Sequence, residues 1–123
     1  MNEAASAVVI ELAKEFIELV RSLEPSWARA YYRFRSTGSR YGSNASYLSG
    51  SDVSLIGAIK NAPFYESMNK KGASLLNLLT KEQGVFLLSV DSHLDYDIKF
   101  EWNDLDRWEI TKMNGRSGIP EGI

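Results

Sequence analysis

The sequence LDYDIKFEW, residues 94–102, alternates between apolar and charged side chains without interruption. Side chains of an extended chain alternate between its two faces, so the two kinds of residue fall on opposite sides. The apolar set is Leu94, Tyr96, Ile98, Phe100 and Trp102, and the charged set is Asp95, Asp97, Lys99 and Glu101. This pattern predicts a strand with a buried aromatic face and an acidic face in water, which is typical of antiparallel sheets.

The neighbours of this stretch extend the prediction in both directions. Residues 85–91, VFLLSVD, are mostly apolar on both faces, which predicts an interior strand. The polar residues Asp91-Ser92-His93 then form a turn, so the two strands make a hairpin. Downstream, Trp108 and Ile110 continue the two-residue alternation, which predicts one more short strand.

Two helices are predicted from apolar spacing and from proline positions. Residues 3–23 carry apolar side chains three and four residues apart, with Asn2 as a plausible N-cap, and the helix ends before Pro25. Pro63 marks the start of a second helix over 64–81. A break into two shorter helices at Gly72 is the alternative.

The remaining strands are predicted between the two helices. Residues 27–35, WARAYYRFR, form the first, with Ala28, Ala30, Tyr32 and Phe34 on its core face. Short strands follow near 45–48 and within 52–60, where a helical turn is the alternative. Helices segregated from runs of strands indicate the α+β class. We expect one domain over 1–123, with an antiparallel sheet of about five strands, both helices on one face, and a loosely held tail at 113–123.

Composition excludes several classes of function. The chain has no cysteine, which rules out disulfides, zinc–thiolate sites and cysteine nucleophiles. The apolar run 4–10 is preceded by Glu3 and by no basic residue, unlike a signal peptide. No apolar stretch approaches the roughly 20 residues that span a bilayer. We therefore expect a soluble cytoplasmic protein that makes no membrane contact and needs no cofactor.

The net charge of −2 conceals a segregation of charge along the chain. Residues 21–40 hold five arginines and one acid, whereas residues 89–110 hold seven acids and two bases. Such segregation informs about partners rather than about the fold. The candidate partner-binding residues are Asp91, Asp95, Asp97, Glu101, Asp104 and Asp106. They predict either a docking surface for a basic protein or a solvated face that protects an edge strand.

The arginine-rich first strand allows two interpretations. Arg29, Arg33 and Arg35 alternate with aromatic rings such as Tyr31, which is how single-stranded nucleic acids are bound on a sheet. This makes a small nucleic-acid-binding module the alternative function, although the acidic protein as a whole does not favour direct nucleic-acid binding. The arginines could instead pair with the later acids across the sheet.

No constellation of residues predicts catalysis or metal binding. His93 is the only histidine and lies in a predicted turn, without a nucleophile motif near it. A metal site would need His93 with Asp91, Asp95 or Asp97. Side chains two residues apart on a strand are parallel rather than convergent, so we expect neither a metal site nor an enzyme.

The order of elements and one motif resemble a known family. Pro25 and Trp27 follow the first helix, a tyrosine-rich strand comes next, and a late strand reads Asp95-Tyr-Asp-Ile-Lys-Phe-Glu-Trp-Asn-Asp104. This arrangement is similar to the YezG-like immunity proteins, whose late strand alternates Phe, Ile or Val with acids and closes on an aromatic–acid–Asp segment. In size and charge the chain is also similar to immunity proteins of contact-dependent inhibition systems.

The resemblance implies a non-catalytic protein that binds and neutralises a bacterial toxin, commonly a nuclease. Its partner would be the cognate toxin domain in a 1:1 complex. A nuclease active site uses basic residues to hold phosphate, and the acids of 95–106 could occupy it. The expected function is therefore an immunity protein that occludes a basic active site with an acidic surface.

Overall fold

One antiparallel sheet organises the chain, which a computed structural model describes over all residues from Met1 to Ile123. The elements in chain order are α1 (Glu3–Leu23), β1 (Arg29–Ser36), β2 (Tyr41–Ser49), β3 (Asp52–Leu55), α2 (Ala62–Leu78), β4 (Gly84–Asp91), β5 (Tyr96–Glu101) and a 3-10 turn (Met113–Gly115). The strands lie in the order β3-β2-β1-β4-β5, and every neighbouring pair is antiparallel. The predicted α+β class, with five strands and two helices on one sheet face, is confirmed.

Helix α1 has the bounds that its apolar spacing predicts. The Oδ1 atom of Asn2 accepts a hydrogen bond from the backbone N–H of Ala5 at 2.7 Å, so Asn2 is the N-cap. The helix ends at Leu23, two residues before Pro25. Its apolar stripe is buried on the sheet, and Phe16 at its centre is fully enclosed.

Helix α2 runs through Gly72 without a break. A Cβ atom at this position would lie 2.7 Å from the ring of Phe34 on β1, which is well inside van der Waals contact. Phe34 is fully buried and stacks on Phe86 at 5.2 Å between ring centroids, so it has no room to move. The glycine therefore permits the close approach of α2 to the sheet, and the alternative of two shorter helices is wrong.

Strand β2 is longer than predicted, and β3 is shorter. Strand β2 extends from Tyr41 rather than from residue 45, because it pairs with β1 along the whole of that strand. Strand β3 occupies only Asp52–Leu55 and pairs with Ser46–Ser49. Residues 41–45 of β2 therefore have a strand on one side only.

The C-terminal segment 102–120 begins with Trp102 on the helix side of the sheet. From Leu105 onward it lies across the sheet face that is turned away from both helices, here named the second face. The side chains of Trp108 and Ile110 are buried there against Tyr31, Val85 and Leu87. The predicted strand at 108–110 is wrong, because Trp108 has φ of 60° and its neighbours form turns rather than a strand. Apolar alternation here reflects packing onto a sheet, not pairing within it.

The tail is held more firmly than the sequence predicts. The N–H of Gly118 donates to the carbonyl of Thr111 at 2.9 Å, and the N–H of Glu121 donates to that of Glu109 at 3.0 Å. Pro120 is buried, and Ile119 packs against the second-face cluster. The prediction of a loosely held tail at 113–123 is therefore wrong for residues 118–120.

Strand β5 lies at the edge of the sheet and differs from its prediction at one end. Leu94 belongs to the turn, with φ of 69°, and the strand begins at Tyr96. Both side chains are exposed, Leu94 by 54% and Tyr96 by 47%, whereas Phe100 and Trp102 pack on the core. The aromatic face of 94–102 is thus covered at its end and open at its start.

Candidate functional site

The strand register places the early arginines and the late acids on the same face of the sheet. Arg29 of β1 lies opposite Asp91 of β4. Ser89, two residues before Asp91 on β4 and therefore on the same face, lies opposite Asp97 of β5. Asp97 thus shares the second face with Arg29. This shared face follows from the strict two-residue alternation of each strand.

The six predicted partner-binding acids form two groups rather than one surface. Asp91, Asp95 and Asp97 lie around the β4–β5 turn, and we name them the acidic end. Glu101, Asp104 and Asp106 lie at and beyond the other end of β5. Asp97 and Glu101 are four positions apart in sequence, which corresponds to about 13 Å along the strand. The two groups therefore present their charges to different surroundings.

Two carboxylates of the acidic end have no partner within the protein. The Asp91 carboxylate stabilises the turn, because its Oδ1 accepts hydrogen bonds from the N–H groups of His93 at 2.9 Å and Asp95 at 3.1 Å. The side chains of Asp95 and Asp97 are exposed and take part in no hydrogen bond or ion pair. Arg29 lines a cleft of about 110 Å³ with all three acids but lies within 4.0 Å of none of their oxygens. Three acids beside one arginine leave this end negative.

In the second group, Glu101 and Asp104 accept hydrogen bonds that stabilise the fold. The Oε1 atom of Glu101 accepts from Arg107 at 2.8 Å, and its Oε2 accepts from the N–H groups of Asn103 and Asp104. These hydrogen bonds, that of Arg107 foremost, lower the pKa of Glu101 to about 2. Asp104 in turn accepts from the N–H of Asp106 at 3.1 Å. Glu101 and Asp104 thus shape the turn that starts the segment 102–120.

The early arginines bind backbone carbonyls rather than the late carboxylates. Arg33 donates from Nε to the carbonyl of Arg107 and from Nη2 to that of Leu105, both at 2.8 Å. Arg35 donates from Nε to the same Leu105 carbonyl at 2.9 Å. The interpretation that these arginines form ion pairs with the acids is therefore wrong in its chemistry. Their positive charge nevertheless lies near Asp104 and Asp106, both of which act on the pKa of Arg33.

An apolar groove adjoins the acidic end, and the sequence did not predict it. The groove has a volume of about 340 Å³ and runs between α1 and the β4–β5 turn, with Ile10, Ile17, Leu94 and Tyr96 among its lining residues. Ile10 is 41% exposed, whereas the apolar stripe of α1 is buried on the sheet. Tyr96 lines both this groove and the acidic cleft. The only signal in the sequence was that Leu94 and Tyr96 adjoin a turn, where an edge strand loses its cover.

The predicted nucleic-acid platform is not exposed as a unit. Tyr31 is 6% exposed and lies beneath Trp108, so its ring face cannot stack on a base. Burial and the neighbouring Arg35 lower the pKa of Arg33, which is enclosed by the same segment. Of the four residues in that prediction, only Arg29 and Arg35 reach the surface.

The structure forms neither a metal-binding cluster nor a membrane-spanning helix. No three histidine or carboxylate side chains converge at a distance that would hold a metal ion. Neither helix has the length and apolarity needed to cross a membrane. No protein-family model matches the chain, and no curated protein matches it in sequence. The acidic end and its apolar groove are therefore the strongest candidate site for a partner protein.

Proposed function

We propose that this protein is an immunity protein, a stoichiometric inhibitor that binds a cationic bacterial toxin domain in a 1:1 complex. The observation that carries the proposal is the pair Asp95 and Asp97, two exposed carboxylates without internal partners, beside the exposed ring of Tyr96. We name the docking patch as Asp91, Asp95, Asp97, Tyr96 and Leu94 with Ile10 of α1. The resemblance to YezG-like immunity proteins supports the same function.

Charge and apolar area have different tasks in such a patch. Unpaired carboxylates at a rim raise the rate of association with a basic protein and reject acidic partners. A tyrosine that projects beside an apolar groove supplies the desolvated contact that dominates binding energy in many interfaces. Tyr96 and the two carboxylates project from opposite faces of β5 at the edge of the sheet, so one partner that wraps around this edge can engage both.

The patch is smaller than the set of six acids in the sequence-based hypothesis. Glu101 and Asp104 accept hydrogen bonds within the fold, so a partner would compete with those bonds. Asp106 lies near the arginine-held turn, where neighbouring guanidinium groups reduce its net field. We therefore assign partner contact to the acidic end.

A nuclease is the toxin class that fits best. Nucleases hold phosphate with Lys, Arg and His, and such a site attracts clustered carboxylates. Asp95 and Asp97 project from an edge hairpin, a shape that reaches into a cleft more readily than a flat sheet does. Occlusion of the substrate site by this hairpin is the mechanism we propose, and the inhibitor itself needs no catalytic group.

The test is titration of the toxin domain encoded beside this gene with the wild-type protein and with Asp95→Lys/Asp97→Lys. We expect the variant to bind about 10- to 100-fold more weakly, mainly through slower association, and with a smaller dependence on salt. The matched control is Glu66→Lys/Glu82→Lys, which makes the same charge change at exposed positions elsewhere. An equal effect of both variants, or of neither, would remove the acidic end from the mechanism.

A second variant tests the apolar half of the patch. Tyr96→Ala removes an exposed ring and leaves every carboxylate in place. We expect at least tenfold faster dissociation from the toxin domain with little change in the association rate. A change confined to association would contradict the role given to Tyr96.

A further inference from the structure

Three arginines surround a cleft at the opposite end of the second face from the acidic end. The cleft has a volume of about 350 Å³ and is lined by Arg33, Arg35, Arg40, Tyr41, Gly42, Ser43 and Asn44. We name Arg33, Arg35 and Arg40 the arginine end. Arg29 and Arg35 are six positions apart on β1, so the two ends lie about 20 Å apart along the strand.

The cleft exists because of a glycine and a short strand. Gly42 lies opposite Arg35 on the second face, and a Cβ atom built there would meet nothing within 4 Å. Strand β3 pairs with β2 only from Ser46 onward, and the last contact of this edge is the N–H of Ile56 donating to the carbonyl of Ala45. Neither a side chain nor a strand therefore fills the space beside residues 41–44.

The guanidinium groups of Arg33 and Arg35 are held in place, and all three arginines retain free donors. Arg33 uses Nε and Nη2, and Arg35 uses Nε, in their bonds to the segment 102–120. The Nη1 of Arg33, both Nη atoms of Arg35 and the whole guanidinium of Arg40 donate to no protein group. Hydrogen bonds that fix part of an arginine reduce the entropy lost when its other donors bind a ligand.

No carboxylate neutralises these arginines directly. Every ion pair of the protein involves Lys71, Arg107 or Arg116 as the cation. Three acids act on the pKa of Arg33. Glu109 forms an ion pair with Arg116, Asp104 accepts from the N–H of Asp106, and the Asp106 carboxylate forms no ion pair with the arginines of the cleft. Asn44, also in the cleft wall, donates from Nδ2 to the carbonyl of Ile110 at 2.7 Å, and its buried Oδ1 accepts no hydrogen bond.

We propose that this cleft binds a phosphate group, either free or as the terminal group of a small phosphate monoester. Arginine forks match the oxygens of phosphate in bidentate geometry, and three guanidinium groups suit a dianion better than a single carboxylate. The site is independent of the proposed immunity function, since it lies at the other end of the second face.

The experiment is an NMR titration of the full-length protein with inorganic phosphate at constant ionic strength, repeated with adenosine 5′-monophosphate. We expect saturable shifts of the backbone amides of residues 42–44. Arg35→Gln/Arg40→Gln should weaken binding at least tenfold. The control Arg21→Gln/Lys70→Gln, with the same charge change at exposed positions of the two helices, should change affinity less than twofold.

A steric variant tests the cleft without touching the arginines. Gly42→Val places a β-branched side chain into the space, at a strand position whose φ lies in the ordinary range. We expect the folded protein to bind phosphate at least tenfold more weakly. Normal phosphate binding by this variant, or an equal loss in the surface control, overturns the site.

The two ligands distinguish the sources of the phosphate group. Tighter binding of the nucleotide than of inorganic phosphate assigns the site to monoesters, and equal binding assigns it to the free ion. A single-stranded oligonucleotide without terminal phosphates is the third arm. If it alone produces the shifts at residues 42–44, the site recognises a nucleic-acid backbone and the proposal is overturned.

Discussion

The two ends of the second face differ in charge and in cover, and the difference shows what fixes the role of a charged side chain. At the arginine end, Arg33 and Arg35 meet the carbonyls of the segment 102–120 and hold it on the sheet. At the acidic end no segment crosses the face, and Asp95 and Asp97 remain in water. Charged residues become structural where a covering backbone supplies partners, and they remain available to other molecules where none does.

The sharpest consequence of this difference concerns one aromatic residue near each end of the sheet. Trp108 belongs to the covering segment and is 4% exposed against the second face, whereas Tyr96 projects from the uncovered turn on the helix side of β5. Trp108→Ala should lower the free energy of unfolding by about 3–5 kcal/mol, because it opens a cavity over Tyr31 and Leu87. Tyr96→Ala should lower it by less than about 1 kcal/mol. Urea denaturation of both variants gives the comparison, and equal losses would mean that the segment contributes nothing to the core.

The arginines of β1 allow a second comparison within a single strand. Arg33→Met keeps the apolar stem but removes two hydrogen bonds from a charged donor to buried carbonyls, which should cost about 2–3 kcal/mol. Arg29→Met, four residues earlier on the same face, removes no hydrogen bond and should cost less than about 0.5 kcal/mol. Equilibrium unfolding in urea measures both. Similar losses would show that the bonds to Leu105 and Arg107 are not what stabilises the covered end.

The sequence predicted those elements whose pattern is local and unbroken. The apolar spacing of 3–23, its cap at Asn2 and the stop at Pro25 define a helix without reference to the rest of the chain. The alternation of LDYDIKFEW likewise predicted strand β5 and the face that Asp97 occupies. Periodicity is reliable here because every residue of the element follows the same rule.

The sequence could not predict how far an element is covered. Trp108 and Ile110 alternate as a strand would, yet their backbone packs on the sheet instead of joining it. Tyr96 belongs to the apolar set of β5 but remains exposed at the turn end of this edge strand, where it lines a groove beside α1. Both outcomes depend on tertiary arrangement, for which two-residue alternation carries no information.

The sequence was equally unable to predict the tertiary contacts of the candidate site. Asp95 and Asp97 lie exposed on β5 as expected, but Arg33 is covered, and the partners of the arginines and of Glu101 were not expected. A guanidinium that binds a backbone carbonyl has no signature in the sequence, because every residue supplies a carbonyl. The separation of Glu101 and Asp104, which accept hydrogen bonds in the fold, from the unpartnered Asp95 and Asp97 therefore required the positions of residues 102–110.

The pH dependence of stability distinguishes the structural acids from the free ones. The pKa of Glu101 is about 2 in the folded protein, against an ordinary value of 4.5, because Arg107 and two backbone N–H groups bind its ionised form. As the pH falls, the Glu101 carboxyl is therefore protonated in the unfolded chain before it is protonated in the folded protein. The stabilisation is complete above about pH 4.5 and is lost between there and about pH 2.

Glu101→Gln should remove that part of the acid sensitivity. We expect the urea midpoint of the wild type to fall more steeply between pH 5 and pH 3 than that of the variant. Glu11→Gln, an exposed change on α1, should retain the wild-type slope. Direct titration of the Glu101 carboxyl by NMR gives an independent reading, and an ordinary pKa there would contradict its structural role.

The smallest expected effect on stability is at the acidic end, where the carboxylates should contribute to partner binding but hardly to the free energy of unfolding. Asp95→Asn/Asp97→Asn removes two charges that accept no hydrogen bond from the protein, so the free energy of unfolding should change by less than about 0.5 kcal/mol. Its sign should favour the wild type slightly, since Arg29 lies in the same cleft. Urea unfolding at low and high salt measures both the size and the screening of this effect. A loss comparable to that of Arg33→Met would mean that these carboxylates support the fold, which would leave the acidic end without spare charge for a partner.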